Sequence, residues 1–158
     1  GSRTAECFKA LGCRIISTRK QNIRTDSGTQ CDLDTLLQES DIISLHVPLK
    51  EDTRDLISGD SFQMMKKSAI LINCARGPVV NSRDLAKALQ TGKIAGAATD
   101  VYEKEPPLAA EHPLFSAPNL LMMPHIAYAT QEAMEKRIDI VLENLHAWLN
   151  GTVLRQVV

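Results

Sequence analysis

The apolar run Ala69-Ile70-Leu71-Ile72 breaks off into Asn73-Cys74-Ala75-Arg76-Gly77, and this change constrains the fold more than any other stretch. A run this short fits a buried strand or a piece of buried helix equally well. The flanks decide: Lys66-Lys67-Ser68 precedes it and Gly77-Pro78 follows, so it reads as a buried strand bounded by polar and turn residues. An α/β protein places its chemistry at the carboxyl end of such a strand. Arg76 is thereby delivered to a crevice.

The remaining segments alternate in the same way. Arg3 to Leu11 reads as a helix with Thr4, Ala5, Phe8 and Leu11 on one face, closed by Gly12. Arg14 to Thr18 reads as a strand, followed by a basic, polar loop from Arg19 to Gly28. A short helix opens at Asp32, and Asp41 to Val47 is a strand stopped by Pro48, whose ring pushes Val47 out of the helical region. A helix buries Phe62, Met65 and Met64 ahead of the central strand. Beyond that strand, Asn81 caps a helix with Asp84 three residues on, and Leu85 and Leu89 point inward before Gly92. Ile94 to Val101 is a small-residue strand, and Leu120 to Met123 is the last one, ended by Pro124. In the final helix Met134, Ile138, Val141, Leu145 and Trp148 form one apolar stripe, and Gly151 stops it.

Strands alternating with helices imply a Rossmann-like, doubly wound parallel sheet with helices on both faces. Right-handed crossovers put every strand's carboxyl end on one edge. His46, Arg76, Asp100 and His125 all lie at or just beyond such ends. Their convergence is a sharper signal than any one of them alone.

Composition excludes several classes. The 158 residues, 44% hydrophobic and 23% charged, suit a globular domain with a real core. Lys and Arg number 18 against 19 Asp and Glu, a net charge of -1, which argues against a general nucleic-acid or membrane surface. No apolar run approaches the roughly 20 residues of a membrane span, and no signal peptide opens the chain. The four cysteines, Cys7, Cys13, Cys31 and Cys74, have no C-x-x-C pairing or neighbouring His, so they read as reduced thiols of a cytoplasmic protein without a metal site.

An arginine, a carboxylate and a histidine in one crevice suit the reduction or oxidation of a small keto or hydroxy acid. Arg grips a carboxylate through two hydrogen bonds and polarises a nearby carbonyl. His carries a proton near neutral pH, and a neighbouring carboxylate favours its protonated form. Hydride requires a cofactor, which a doubly wound sheet is suited to bind.

Four motifs then carry a specific resemblance: Leu45-His46-Val47-Pro48-Leu49, Ile72-Asn73-Cys74-Ala75-Arg76-Gly77-Pro78-Val79-Val80-Asn81, Asp100-Val101-Tyr102-Glu103-Lys104-Glu105-Pro106 and Pro124-His125-Ile126. In this order they resemble the D-isomer-specific 2-hydroxyacid dehydrogenases. The resemblance implies that Arg76 binds substrate, that Glu105 raises the pKa of His125, and that His125 is the acid/base. It also implies that Asp100 holds the nicotinamide carboxamide, with Thr99, Cys74, Val47 and Pro48 lining the cofactor site. Glu105 sets the chain apart from the formate dehydrogenases that resemble this family, which carry glutamine there. A dimer formed through the nucleotide-binding domain is expected as well.

The chain departs from the family pattern in two places. The G-x-G-x-x-G fingerprint is absent, and Gly1 falls where its third glycine would stand. Residues 1–158 therefore read as a partial dinucleotide-binding domain of a larger dehydrogenase, with the first strand and the substrate domain missing. Gly1-Ser2 is either native or the remnant of a removed tag. Second, Arg19 stands where an acidic residue would bind the adenosine ribose, with Lys20 and Arg24 close behind. A cation there favours the 2′-phosphate of NADP over NAD, unless the segment is merely a solvated basic loop. The expected partner is a small 2-keto or 2-hydroxy acid such as glyoxylate or hydroxypyruvate. The competing reading is a nucleotide-sensing module like the corepressors that resemble the family.

Overall fold

In the computed structural model, residues 1–18, 28–104 and 108–156 are described. They form two compact units, Gly1–Pro124 and His125–Val158.

The first unit opens with α1 (Ser2–Ala10), β1 (Ile16–Ser17), β2 (Thr29–Gln30), α2 (Leu33–Glu39) and β3 (Ile42–Leu45). It continues through α3 (Gly59–Met64), β4 (Ile70–Asn73), α4 (Ser82–Gln90), β5 (Gly96–Thr99) and β6 (Leu120–Met122). The caps follow the sequence. Asp32 accepts a hydrogen bond from the Thr35 amide at 2.7 Å, and Asn81 accepts one from the Asp84 amide at 3.2 Å. Asp84 in turn accepts from the Gly59 amide at 2.8 Å, which joins the first turn of α4 to that of α3. Gly12, just past α1, has a φ of +84° that a β-carbon would disfavour.

All strand pairings are parallel, but the strands fall into two sheets, β1-β2 and β3-β4-β5-β6. The single sheet read from the alternation is thus broken between β1 and β3. The chain is an α/β fold of the doubly wound, parallel-sheet class.

Within the four-stranded sheet the register is level. Leu45 pairs with Asn73, Asn73 with Thr99, and Thr99 with Met122. Alternate residues Ile43, Leu45, Leu71 and Ala97 face a core shared with Leu37 of α2, Phe62 of α3 and Leu85 and Leu89 of α4. Phe62, Leu37, Ile57, Leu71, Ile94 and Val79 are the largest fully buried side chains.

On the opposite sheet face Ile42 and Ile70, partners in register, are each 42% exposed. In α1 no residue is buried: Thr4, Ala5 and Phe8 are half-buried, and Leu11 lies outside the helix and exposed.

The second unit is built on α5 (Gln131–Leu149), capped by the Thr130 hydroxyl on the Ala133 amide and stopped at Gly151, where φ is +72°. The helix forms where its periodicity predicts, yet it buries no residue. Its stripe is open, with Met134, Ile138, Val141, Leu145 and Trp148 all exposed. Arg155 folds back onto Asn144 at 3.0 Å and onto Glu143. No helix among the described residues is long and apolar enough to cross a membrane. All four cysteines are free thiols.

Because Phe62 is 1% exposed at the centre of the shared core, Phe62→Ala is expected to cost about 3–5 kcal/mol. Urea unfolding followed by circular dichroism would read this as a lower midpoint.

Candidate functional site

The level register of the sheet brings three loops to one edge. Past β3 come His46, Val47 and Pro48; past β4 come Cys74, Ala75 and Arg76; past β5 comes Asp100. Parallel strands ended at the same rung can only deliver their following residues side by side. The edge read from topology is therefore present for these residues.

The β4 loop is shaped by Asn73, which is 3% exposed. Its Oδ1 accepts from the Ala75 amide at 3.1 Å, and its Nδ2 donates to the Arg76 carbonyl at 3.1 Å. Its own carbonyl accepts from the Asp100 amide at 3.0 Å. One residue thus bends the loop that carries Arg76 and ties it to the next strand end. Arg76 is exposed, and its Nη1 donates to the Ala75 carbonyl at 2.7 Å.

Gly77 closes the loop by close approach. A β-carbon there would stand 1.9 Å from the Tyr102 carbonyl carbon and 2.0 Å from its oxygen. Only glycine allows these two backbones to touch. Asn73 and Gly77 lie in the motif that carries Arg76, and residue order alone assigns them no role of their own. A buried Asn at a strand end is the signal for the former, since its side chain readily folds onto the backbone two residues on.

Asp100 and Thr99 are both buried. The Thr99 hydroxyl donates to the Val101 carbonyl at 2.8 Å, turning the chain away from the sheet. Cys74 is exposed; partial desolvation, and then the nearby Asp100 charge, push its thiol pKa up. The shift disfavours the thiolate, the form in which a cysteine is nucleophilic. His46 shares a hydrogen bond of 2.9 Å with the Ser44 hydroxyl. Desolvation of the ring, with a smaller push from the amino terminus, lowers its pKa.

Gly1 caps α1 and packs on His46: an added β-carbon would lie 3.3 Å from the His46 β-carbon. The first turn of α1 holds no acidic residue, and its end meets the loop after β3. A helix N-terminus meeting a strand end suits the diphosphate of a dinucleotide. Buried Thr99 and Asp100 beside Cys74 supply a polar wall for a carboxamide. The residues present fit such a cofactor.

His125 begins the second unit. Its φ is +56°, a region that residues with a β-carbon sparsely occupy. Its ring meets Tyr128 edge to face at 6.0 Å, and the Arg137 guanidinium lies 5.9 Å from the Tyr128 ring centre. Glu105 and Arg19 lie outside the described residues. Near the former, Glu103 pairs with His112 at 3.2 Å, closing the base of the loop between them. Burial would raise the Glu103 pKa, but hydrogen bonds from Ser82 and His112 outweigh it and hold the carboxyl below its ordinary value.

Comparison with known proteins agrees with this geometry. Residues 1–127 match the sequence profile described as D-isomer specific 2-hydroxyacid dehydrogenase, NAD binding domain. A glyoxylate reductase of Aeropyrum pernix is 45% identical over 157 residues, covering 97% of this chain and 47% of that protein. Glyoxylate/hydroxypyruvate reductase B of Serratia proteamaculans is 49% identical over 124 residues, 78% of this chain and 38% of that protein. The NAD-complexed D-isomer specific 2-hydroxyacid dehydrogenase of Lactobacillus delbrueckii ssp. bulgaricus superposes with a TM-score of 0.89 at 35% identity, covering all of this chain and 52% of that one. The chain spans about half the length of the relatives it matches.

Two outcomes are expected. Gly77→Ala forces the Tyr102 backbone aside and costs about 3 kcal/mol or more, read as a loss of soluble folded protein or a lower urea midpoint. Since the Glu103 pKa is depressed by folding, its contribution is complete above about pH 4.3 and is lost as pH falls through the folded value. Glu103→Gln should therefore flatten the acid side of the stability–pH curve and leave its shape near pH 7 alone.

Proposed function

The chain belongs to the D-isomer specific 2-hydroxyacid dehydrogenase family, and on that premise we propose that it is the partial dinucleotide-binding domain of a reductase of small 2-keto acids, glyoxylate or hydroxypyruvate in kind. The observation that carries this reading is the common rung at which β3, β4 and β5 end, which sets Arg76 beside Asp100, Cys74 and Val47-Pro48. The substrate domain lies elsewhere in the complete protein.

Each residue has a role its chemistry suits. Arg76 holds the substrate carboxylate with its planar fork and orients the adjacent carbonyl. Thr99, Asp100, Cys74, Val47 and Pro48 line the nicotinamide pocket, with Asp100 on the carboxamide, and Gly1 lies by the diphosphate. The bound cofactor supplies the hydride. His125 gives its proton to the carbonyl oxygen, and Glu105 keeps that imidazole protonated until it does. Arg19 favours the 2′-phosphate of NADP. Two copies pair through this domain as a homodimer.

The test is oxidation of NADPH and NADH by the complete polypeptide with a panel of 2-keto acids. Rapid turnover is expected, faster with NADPH. Arg76→Ala should lower kcat/KM for the acid at least about 100-fold, with cofactor affinity little changed. Preference for NADH would discard the role of Arg19 and keep the reductase. Cofactor binding without turnover of any acid would replace the enzyme by a nucleotide-sensing module.

A further inference from the structure

We propose that Thr53 is a positioning residue for the cofactor pocket, its hydroxyl tying the Val47-Pro48 wall to the loop that follows Arg76. The inference rests on the reading that Val47 and Pro48 line the nicotinamide pocket.

β3 ends at Leu45, and the wall lies in the loop beyond it. Pro48 has no amide hydrogen, so its carbonyl is the one backbone group by which it can be tied. That carbonyl accepts from the Thr53 hydroxyl at 2.7 Å, and the Lys50 carbonyl lies 3.3 Å from the same hydroxyl. The Thr53 hydroxyl oxygen in turn accepts from the Lys50 amide at 2.8 Å. The Lys50 carbonyl receives the Thr53 and Arg54 amides, at 3.2 and 3.0 Å, which closes the short 3-10 turn Glu51–Thr53. One half-buried side chain therefore folds the chain after Pro48 back onto Pro48.

The residues after that turn are fastened on the other side. The Asp55 amide donates to the Pro78 carbonyl at 2.8 Å, and the Ile57 amide to the Val79 carbonyl at 3.0 Å. The Asn81 amide donates to the Ile57 carbonyl at 2.9 Å, and its carboxamide to the Asp55 carboxylate at 3.3 Å. Asp55 has a φ of +50°, a region that residues with a β-carbon sparsely occupy and that its surroundings must impose. Pro78 and Val79 directly follow Arg76-Gly77. The turn is thus a brace between the wall and the Arg76 loop. One end is the Thr53 hydroxyl on Pro48; the other is the set of bonds from Asp55 and Ile57. Filling the space would need only the shape of Thr53; the brace needs its hydroxyl.

Thr53→Val keeps the shape and removes the hydroxyl, whereas Thr53→Ser keeps the hydroxyl. Thr91→Val is the control: its hydroxyl donates to the Lys87 carbonyl at 2.8 Å past α4, on the side that leads into the start of β5. The measurement is the Kd of NADPH or NADH, whichever the unmutated complete polypeptide binds more tightly, read from the fluorescence of the bound nicotinamide. Thr53→Val is expected to raise it about 10-fold, the equivalent of one neutral hydrogen bond. Thr53→Ser and Thr91→Val should leave it unchanged. An unchanged Kd in Thr53→Val would overturn the proposal, as would an equal loss in Thr53→Ser or in Thr91→Val. If the unmutated protein binds neither cofactor, the reading of the pocket fails, and amide hydrogen exchange decides the brace by itself. Faster exchange of the Asp55 and Ile57 amides in Thr53→Val supports it; unchanged exchange there overturns it.

Discussion

The Asn73 carboxamide is buried, and both of its polar atoms are bound to the backbone just beyond it. A buried amide left without partners costs about 1–3 kcal/mol, so its bonds and the loop they bend stand or fall together. The same residue is the rung shared by β3, β4 and β5, and its carbonyl receives the Asp100 amide. The functional edge depends on this joint. It converts a level set of strand ends into a fixed relation between an exposed arginine and a buried aspartate.

Around the joint, polarity is graded. Thr99 and Asp100 are buried, Cys74 and Arg76 are exposed, and burial and then the Asp100 charge push the Cys74 thiol pKa up. Residues 1–127, which hold all four of these side chains, match the dinucleotide-binding domain of the family.

Much of this was readable from residue order alone. Polar residues after short apolar runs marked the strand ends, and parallel topology put those ends on one edge, so His46, Arg76 and Asp100 could be placed there without coordinates; Thr99, Cys74 and Val47-Pro48 were named only through the resemblance to the family. What could not be read depends on the approach of distant backbones. Gly77 against Tyr102, and the Tyr102 hydroxyl on Met123, leave no periodic trace in the sequence. Periodicity in α5 marked the helix and its apolar stripe correctly, but says nothing about what covers a stripe, and here it is exposed. The division of the strands into two sheets escaped for a related reason: alternation counts strands and does not report which neighbours they bond.

The level register also has a kinetic meaning. Leu45, Asn73, Thr99 and Met122 come from four separate segments, and every pairing among them is a crossover between parallel strands. Closing such long loops is entropically costly before any contact rewards it, so sheets of this kind form slowly. The edge that carries His46, Arg76 and Asp100 therefore forms only when the two crossovers joining β3, β4 and β5 have closed.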